Sequence, residues 1–177
     1  MTALSVPAGL AAPGLFLAAI VGQPLAAQGP GLSAGIGVYR AIATYEGYQD
    51  PGVGGELVGQ WGFRSGLVLG LGGRAIGFQD GPRLSAFAEA EYAPAPAPTR
   101  RIQSVIGGRL GPFVDDIRGD PLIGLEAGVK AGGALALSGG VSLTLTGDLT
   151  LVVTSNDYRP FRRRRFGPGL MLGVTFH

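Results

Sequence analysis

The sequence predicts an all-β fold, an eight-stranded antiparallel up-and-down transmembrane β-barrel, on three observations. Apolar residues recur at every second position through a series of segments. Charged residues inside those segments fall almost wholly on the opposite face. The chain is also apolar without reading as helical. Its mean hydropathy is +0.31 and only 15% of its residues are charged, against about 25% in a soluble domain. Yet beyond its first thirty residues it has no uninterrupted run of roughly 18 apolar residues, as a membrane helix needs. A transmembrane barrel conceals its hydrophobicity in this way, because only alternate residues meet lipid.

The N-terminal part reads as a signal peptide. Residues 14–22 are an apolar stretch of suitable length, broken by Gln23 and Pro24, and Leu25-Ala26-Ala27 offers small residues for cleavage. The expected organisation is therefore a removed segment over 1–27 and a barrel over 28–177. No Lys or Arg precedes the apolar stretch, and Pro7, Pro13 and Pro24 argue against a membrane-anchor helix.

The clearest strand lies over 141–153, where Val141, Leu143, Leu145, Leu149 and Leu151 alternate with Ser142, Thr144, Thr146, Asp148 and Thr150. The last segment alternates Leu170, Leu172, Val174 and Phe176 with Gly169, Met171, Gly173 and Thr175. Upstream, Ile123, Leu125, Ala127, Val129 and Ala131 oppose Gly124, Glu126, Gly128 and Lys130. Ile106 and Leu110 oppose Gln103, Val105, Gly107 and Arg109. Leu84, Ala86, Ala88, Ala90 and Tyr92 oppose Ser85, Phe87, Glu89 and Glu91. Three further segments, over 67–78, 56–64 and 32–45, complete a set of eight, the smallest even number that closes such a barrel.

The connections suggest one topology. Arg64-Ser65-Gly66 and Ser138-Gly139-Gly140 read as tight turns, and the proline-rich stretch 93–99 as a connector that cannot lie inside a sheet. All three fall at one end. The segments around 46–54, 79–83, 112–121 and 155–166 fall at the other and read as mostly longer, polar loops. Short periplasmic turns and longer external loops place both termini in the periplasm.

Sorting charges by face puts Glu56, Arg64, Arg74, Glu89, Glu91, Arg109, Glu126, Lys130 and Asp148 on the side away from lipid. An eight-stranded barrel is only wide enough inside to be filled by side chains. Opposite charges are therefore expected to pair across the lumen and plug it, with Arg74 or Arg109 as partners for Glu89 and Glu91. A narrow path for ions or small solutes is the rival. Trp61, Phe63, Tyr92, Phe166 and Phe176 lie near strand ends on the outward side, as aromatic residues at membrane interfaces do.

The sequence offers little catalytic chemistry. There is no Cys, and the single His is the terminal residue, His177. A Ser-His-Asp site, thiolate chemistry, a His/Cys metal centre and a lipoprotein anchor are all unsupported. No cofactor or metal is expected, and a net charge of +2 is too small to point to nucleic acid. One cluster is distinctive: Arg159, Arg162, Arg163, Arg164 and Arg165 on the outer rim before the last strand. Planar guanidinium groups suit lipid phosphates and other anionic surfaces, and a solvated run of charge is the alternative.

On these alternating segments, and on a C-terminal strand ending in an aromatic, the chain resembles the small outer-membrane β-barrel family of the OmpA/OmpX type over roughly residues 29–177. The resemblance implies that Phe176, one residue before the end, is read by the barrel-assembly machinery. It also implies a non-enzymatic structural, surface-interaction or membrane-integrity role in the bacterial outer membrane, with loops available to external ligands. A monomer is expected. A small pore is one alternative, and a soluble lipocalin-like ligand-binding barrel, which would reverse the two faces, is another.

Overall fold

The computed structural model describes residues 27–43, 49–93, 102–117, 120–138, 140–155 and 164–177. They form β1 (Ala27–Ala43), β2 (Gln49–Phe63), β3 (Leu67–Phe78), β4 (Gly81–Tyr92), β5 (Ile102–Ile117), β6 (Asp120–Ser138), β7 (Val141–Ser155) and β8 (Arg164–Phe176). Each strand pairs antiparallel with the next, and β8 pairs with β1, so the sheet closes and has no free edge. The expected fold class is borne out. Residues 1–26 of the expected signal peptide lie outside the described residues.

Register partners followed from Leu32 run through Gly59, Leu71, Ala88, Leu110, Ala127, Leu151 and Phe166 and return to β1 at Ile42, ten residues beyond the start. With about 3.3 Å per residue and about 4.8 Å between strands, that stagger tilts the strands by roughly 40°. Each residue then rises about 2.5 Å along the barrel axis, so the 12-residue β3 and β4 each cross roughly 30 Å, the thickness of a bilayer's hydrocarbon core.

The period of two sorts the side chains as the sequence predicts. Ile36, Leu57, Leu71, Ile106, Val129 and Leu172 stand exposed on the outer wall, Ile36 to 70%, while Glu126 inside is 2% exposed. This is the reverse of a soluble ligand-binding barrel, which turns its apolar residues inward. Trp61, Tyr92 and Phe176 are exposed at the ends of β2, β4 and β8 on the side of Ala27 and His177, the terminus-side end of the described barrel. Phe63, expected outside with them, is half-buried at the mouth of a lumenal cavity, where the chain turns out of β2.

At the terminus-side end, Gly66 closes the β2–β3 turn at φ 85°, a conformation that favours glycine, and its amide donates to Phe63 O at 3.0 Å. The opposite, distal end differs from expectation in three places. Residues 49–54 already belong to β2, and segments 79–83 and 112–121 are not longer polar loops. Only Gln79 and Asp80 separate β3 from β4, and β5 and β6 run to Ile117 and from Asp120. Alternation continues there, with Phe113 and Asp115 inward and Val114 outward. Part of the polarity that suggests a loop belongs to Arg83 and Asp115, which pair inside the lumen.

Candidate functional site: a charged lumen

Every strand keeps one parity facing inward, so each charged residue of that parity projects into a space bounded by the other seven strands. Glu56, Arg74, Glu89, Glu91, Arg109, Glu126, Lys130 and Asp148 are all buried there. Arg64, expected among them, is instead exposed in the β2–β3 turn at the cavity mouth. It follows the last residue of β2, so strand parity no longer governs its direction.

Ten of the inward charges form two connected groups, and Asp50, fully buried, accepts from the Gln79 amide at 2.9 Å. The larger runs across the distal half of the lumen. Asp115 binds Arg83 at 2.7 Å, Arg83 reaches Glu126 at 3.5 Å, and Glu126 binds Arg74 at 2.7 Å. Arg74 binds Asp148 at 3.2 Å, Asp148 contacts Arg109, and Arg109 binds Glu56 at 3.0 Å. Thr150 braces the centre, accepting from Arg74 at 3.4 Å and donating to Asp148 at 3.0 Å. The arginines also pack on aromatic rings: Arg74 over Tyr39, Arg83 over Phe113 and Phe78, and Arg109 over Phe87, at 4.8 to 6.0 Å from ring centroids.

The smaller group lies nearer the termini. Lys130 binds Glu89 at 2.8 Å and contacts Glu91, and Gln60 donates to Glu89 at 3.2 Å. The two glutamates thus share Lys130, whereas the sequence suggested Arg74 or Arg109. Lys130 comes from β6, two strands from β4, and stands opposite the gap left by the inward Gly107 of β5.

Below this group the lumen opens into a cavity of about 220 Å³ with its mouth at the terminus-side end. Inward glycines make the packing above it possible. A Cβ on Gly70 would meet the Glu89 side chain at 2.8 Å, and one on Gly128 would meet Arg109 Nε at 3.0 Å. Buried ions are tolerable only when paired and hydrogen-bonded, and the lumen meets that condition through this dense mutual pairing.

The sequence reading misses Asp50, Arg83 and Asp115, because all three lie in segments whose polarity reads as loop. Continued alternation through 81–84 and 112–116 was the signal that could have found Arg83 and Asp115. Arg159, Arg162 and Arg163 lie outside the described residues. Arg164 and Arg165 open β8, where the backbone of Arg164 pairs with Ala43.

An apolar exterior of membrane-spanning height around an ion-paired interior defines a transmembrane β-barrel. In solved structures the fold is shared with Neisserial surface protein A, at a TM-score of 0.68 and 16% identity over 85% of this chain and 98% of that one. It is also shared with a de novo designed transmembrane β-barrel, at a TM-score of 0.51 and 9% identity over 87% and 97% of the two chains. At these identities the likeness is one of fold. No family model matches the sequence, and no curated protein sequence matches it.

Proposed function

We propose that this chain is a non-enzymatic integral barrel of a bacterial outer membrane, with a closed lumen and both termini in the periplasm. Its role would be that of a scaffold contributing to membrane integrity and surface interaction. The ion-pair chain from Asp115 to Glu56 carries this reading. It joins strands on opposite sides of the barrel and, with the buried Phe87, Phe113 and Tyr39, would close the distal half of the lumen. The fold shared with Neisserial surface protein A supports the outer-membrane setting.

Single-channel recording on the mature barrel in planar bilayers tests the closed lumen, after heat-modifiable gel migration has verified folding. Silence from inserted barrels is the expected outcome, and reproducible discrete steps would overturn it in favour of a small pore. The terminus-side cavity is the one observation favouring a pore, since it already occupies part of the path.

Arg159, Arg162, Arg163, Arg164 and Arg165, which precede or open the last strand in sequence, would engage phosphates of anionic head groups in the surrounding membrane. Phe176, exposed on the outer wall at the end of β8, would present the assembly signal to the barrel-assembly machinery.

A further inference from the structure

The cavity below the Lys130 group has a lining that space-filling alone does not call for. One side is a wall of hydroxyls from three adjacent strands: Ser33 of β1, Ser142, Thr144 and Thr146 of β7, and Thr175 of β8. Thr175 donates to Ser33 at 3.2 Å, and Ser142 lies 3.2 Å from His177 Nε2. Thr146 is different. Its residue is 4% exposed, it lines the cavity, and its Oγ1 is buried without a hydrogen-bond partner. A buried hydroxyl in that condition costs about 1–3 kcal/mol until something bonds it. The facing side carries the apolar Val68, Val105 and Ala134, with Gln103 beside them.

At the inner end, Lys130 and Glu91 line the cavity, with Glu89 directly behind them on the same ammonium. Two carboxylates there share one ammonium, so the inner end has an excess of negative charge. The cavity of about 220 Å³ falls below the roughly 300–1,000 Å³ typical of sites for drug-sized ligands. It suits a single small ring and excludes a chain of them.

We propose that this cavity is a binding site for a small polyhydroxylated molecule bearing an ammonium group, of the amino-sugar class. The hydroxyl wall would exchange hydrogen bonds with ring hydroxyls, with Thr146 gaining its missing partner. The apolar side would take the carbon–hydrogen face of the ring, and the ammonium would sit against Glu91. The proposal goes beyond the scaffold reading and does not depend on it, because the cavity and its mouth are the same whether or not the lumen above conducts.

The test is calorimetric titration of the refolded full barrel in detergent micelles with glucosamine and, separately, with glucose. Glucosamine is expected to saturate a single site and to bind about tenfold more tightly than glucose, as a charge-assisted contact implies. Thr146→Val, which keeps the shape and removes the hydroxyl, should weaken glucosamine about fivefold to tenfold. Glu91→Gln should abolish the preference for glucosamine over glucose. Should that variant fail to fold, Thr146→Val and Thr144→Val leave the charged group intact and carry the test. A folded barrel giving no saturable binding, equal affinity for the two sugars, or binding unchanged in Thr146→Val would each overturn the proposal. Bilayer conductance is read separately, so failure here leaves the closed-lumen question standing on its own measurement.

Discussion

Replacing Lys130 by Met should destabilise the barrel more than replacing Arg74 by Met, although Arg74 sits at the centre of the larger network. Met is close in volume to both side chains and removes the charge without opening a large void. Removing one partner of a buried ion pair costs about 3–5 kcal/mol, because a charge is left behind in a poor solvent. Where each variant falls in that range follows from what remains. Without Arg74, Glu126 keeps Arg83 at 3.5 Å and Asp148 keeps Arg109, so each carboxylate retains a guanidinium. A loss near 3 kcal/mol is expected. Without Lys130, Glu89 keeps the Gln60 amide at 3.2 Å and the neighbouring Glu91, which brings no positive charge, and Glu91 loses the cation it contacts. A loss near 5 kcal/mol is expected. The assay is reversible denaturant unfolding in micelles, followed by the single tryptophan, Trp61, which stands on the lipid-facing wall at 45% exposure. Equal losses, or a Lys130→Met loss below about 1 kcal/mol, would refute the reasoning. Either result would mean that water from the cavity solvates Glu89 and Glu91 well enough to replace the ammonium.

Four other outcomes are expected. Leu71→Arg, on the exposed mid-wall of β3, should cost about 2–4 kcal/mol in lipid-inserted unfolding, as charge at a bilayer midplane does. Gly111→Ala and Gly132→Ala should reduce folded yield on heat-modifiable gels, since a Cβ at either position runs into a backbone carbonyl of the neighbouring strand, that of Ala86 or of Leu145. Gly59→Ala, whose nearest neighbour would lie 3.9 Å away, should be neutral to within about 1 kcal/mol in the same unfolding assay. Changing Arg162, Arg163, Arg164 and Arg165 together to Gln should weaken association with vesicles containing anionic lipid while leaving folding intact, and unchanged association would remove the head-group reading.

The strand count, the closure and the direction of nearly every side chain were legible in the sequence because one physical rule governs them all. A residue in a barrel wall has two environments, and lipid rejects charge. β7 displays the rule over most of its length, from Val141 through Leu151 against Ser142 through Thr150. The rule fails where the environment stops being twofold. Arg64 and Phe63 stand at the start of a turn, and their directions follow the local turn geometry. The distal extensions of β5 and β6 were misread for a different reason. Beyond the hydrocarbon, polar residues such as Asp115 and Asp116 fit strand or loop equally well by composition. Only Arg83, the register partner of Asp115 on the neighbouring strand β4, shows which. Pairing was the least legible level of all. Sequence places Glu89, Glu91, Arg74, Arg109 and Lys130 on the same inner surface, but the choice of Lys130 depends on the stagger between strands, which no single strand encodes.

That stagger has a consequence for how the barrel comes to be closed. The outer wall is a nearly uniform lining of Leu, Val, Ile, Ala and Gly, which would accept a neighbouring strand in several alignments. A slip of one residue is forbidden because it turns a strand's charges to lipid. A slip of two keeps every face correct, and hydrophobicity alone does not penalise it. The interior does. Moving β6 by two residues against β5 would carry Glu126 and Lys130 about 5 Å along the axis, away from Arg74 and Arg83 at one level and from Glu89 and Glu91 at the other. Buried ion pairs add little net stability, but here they read the register between strands that do not touch. The charges inside act as the teeth of a key, and the ring closes in the one alignment at which all of them meet.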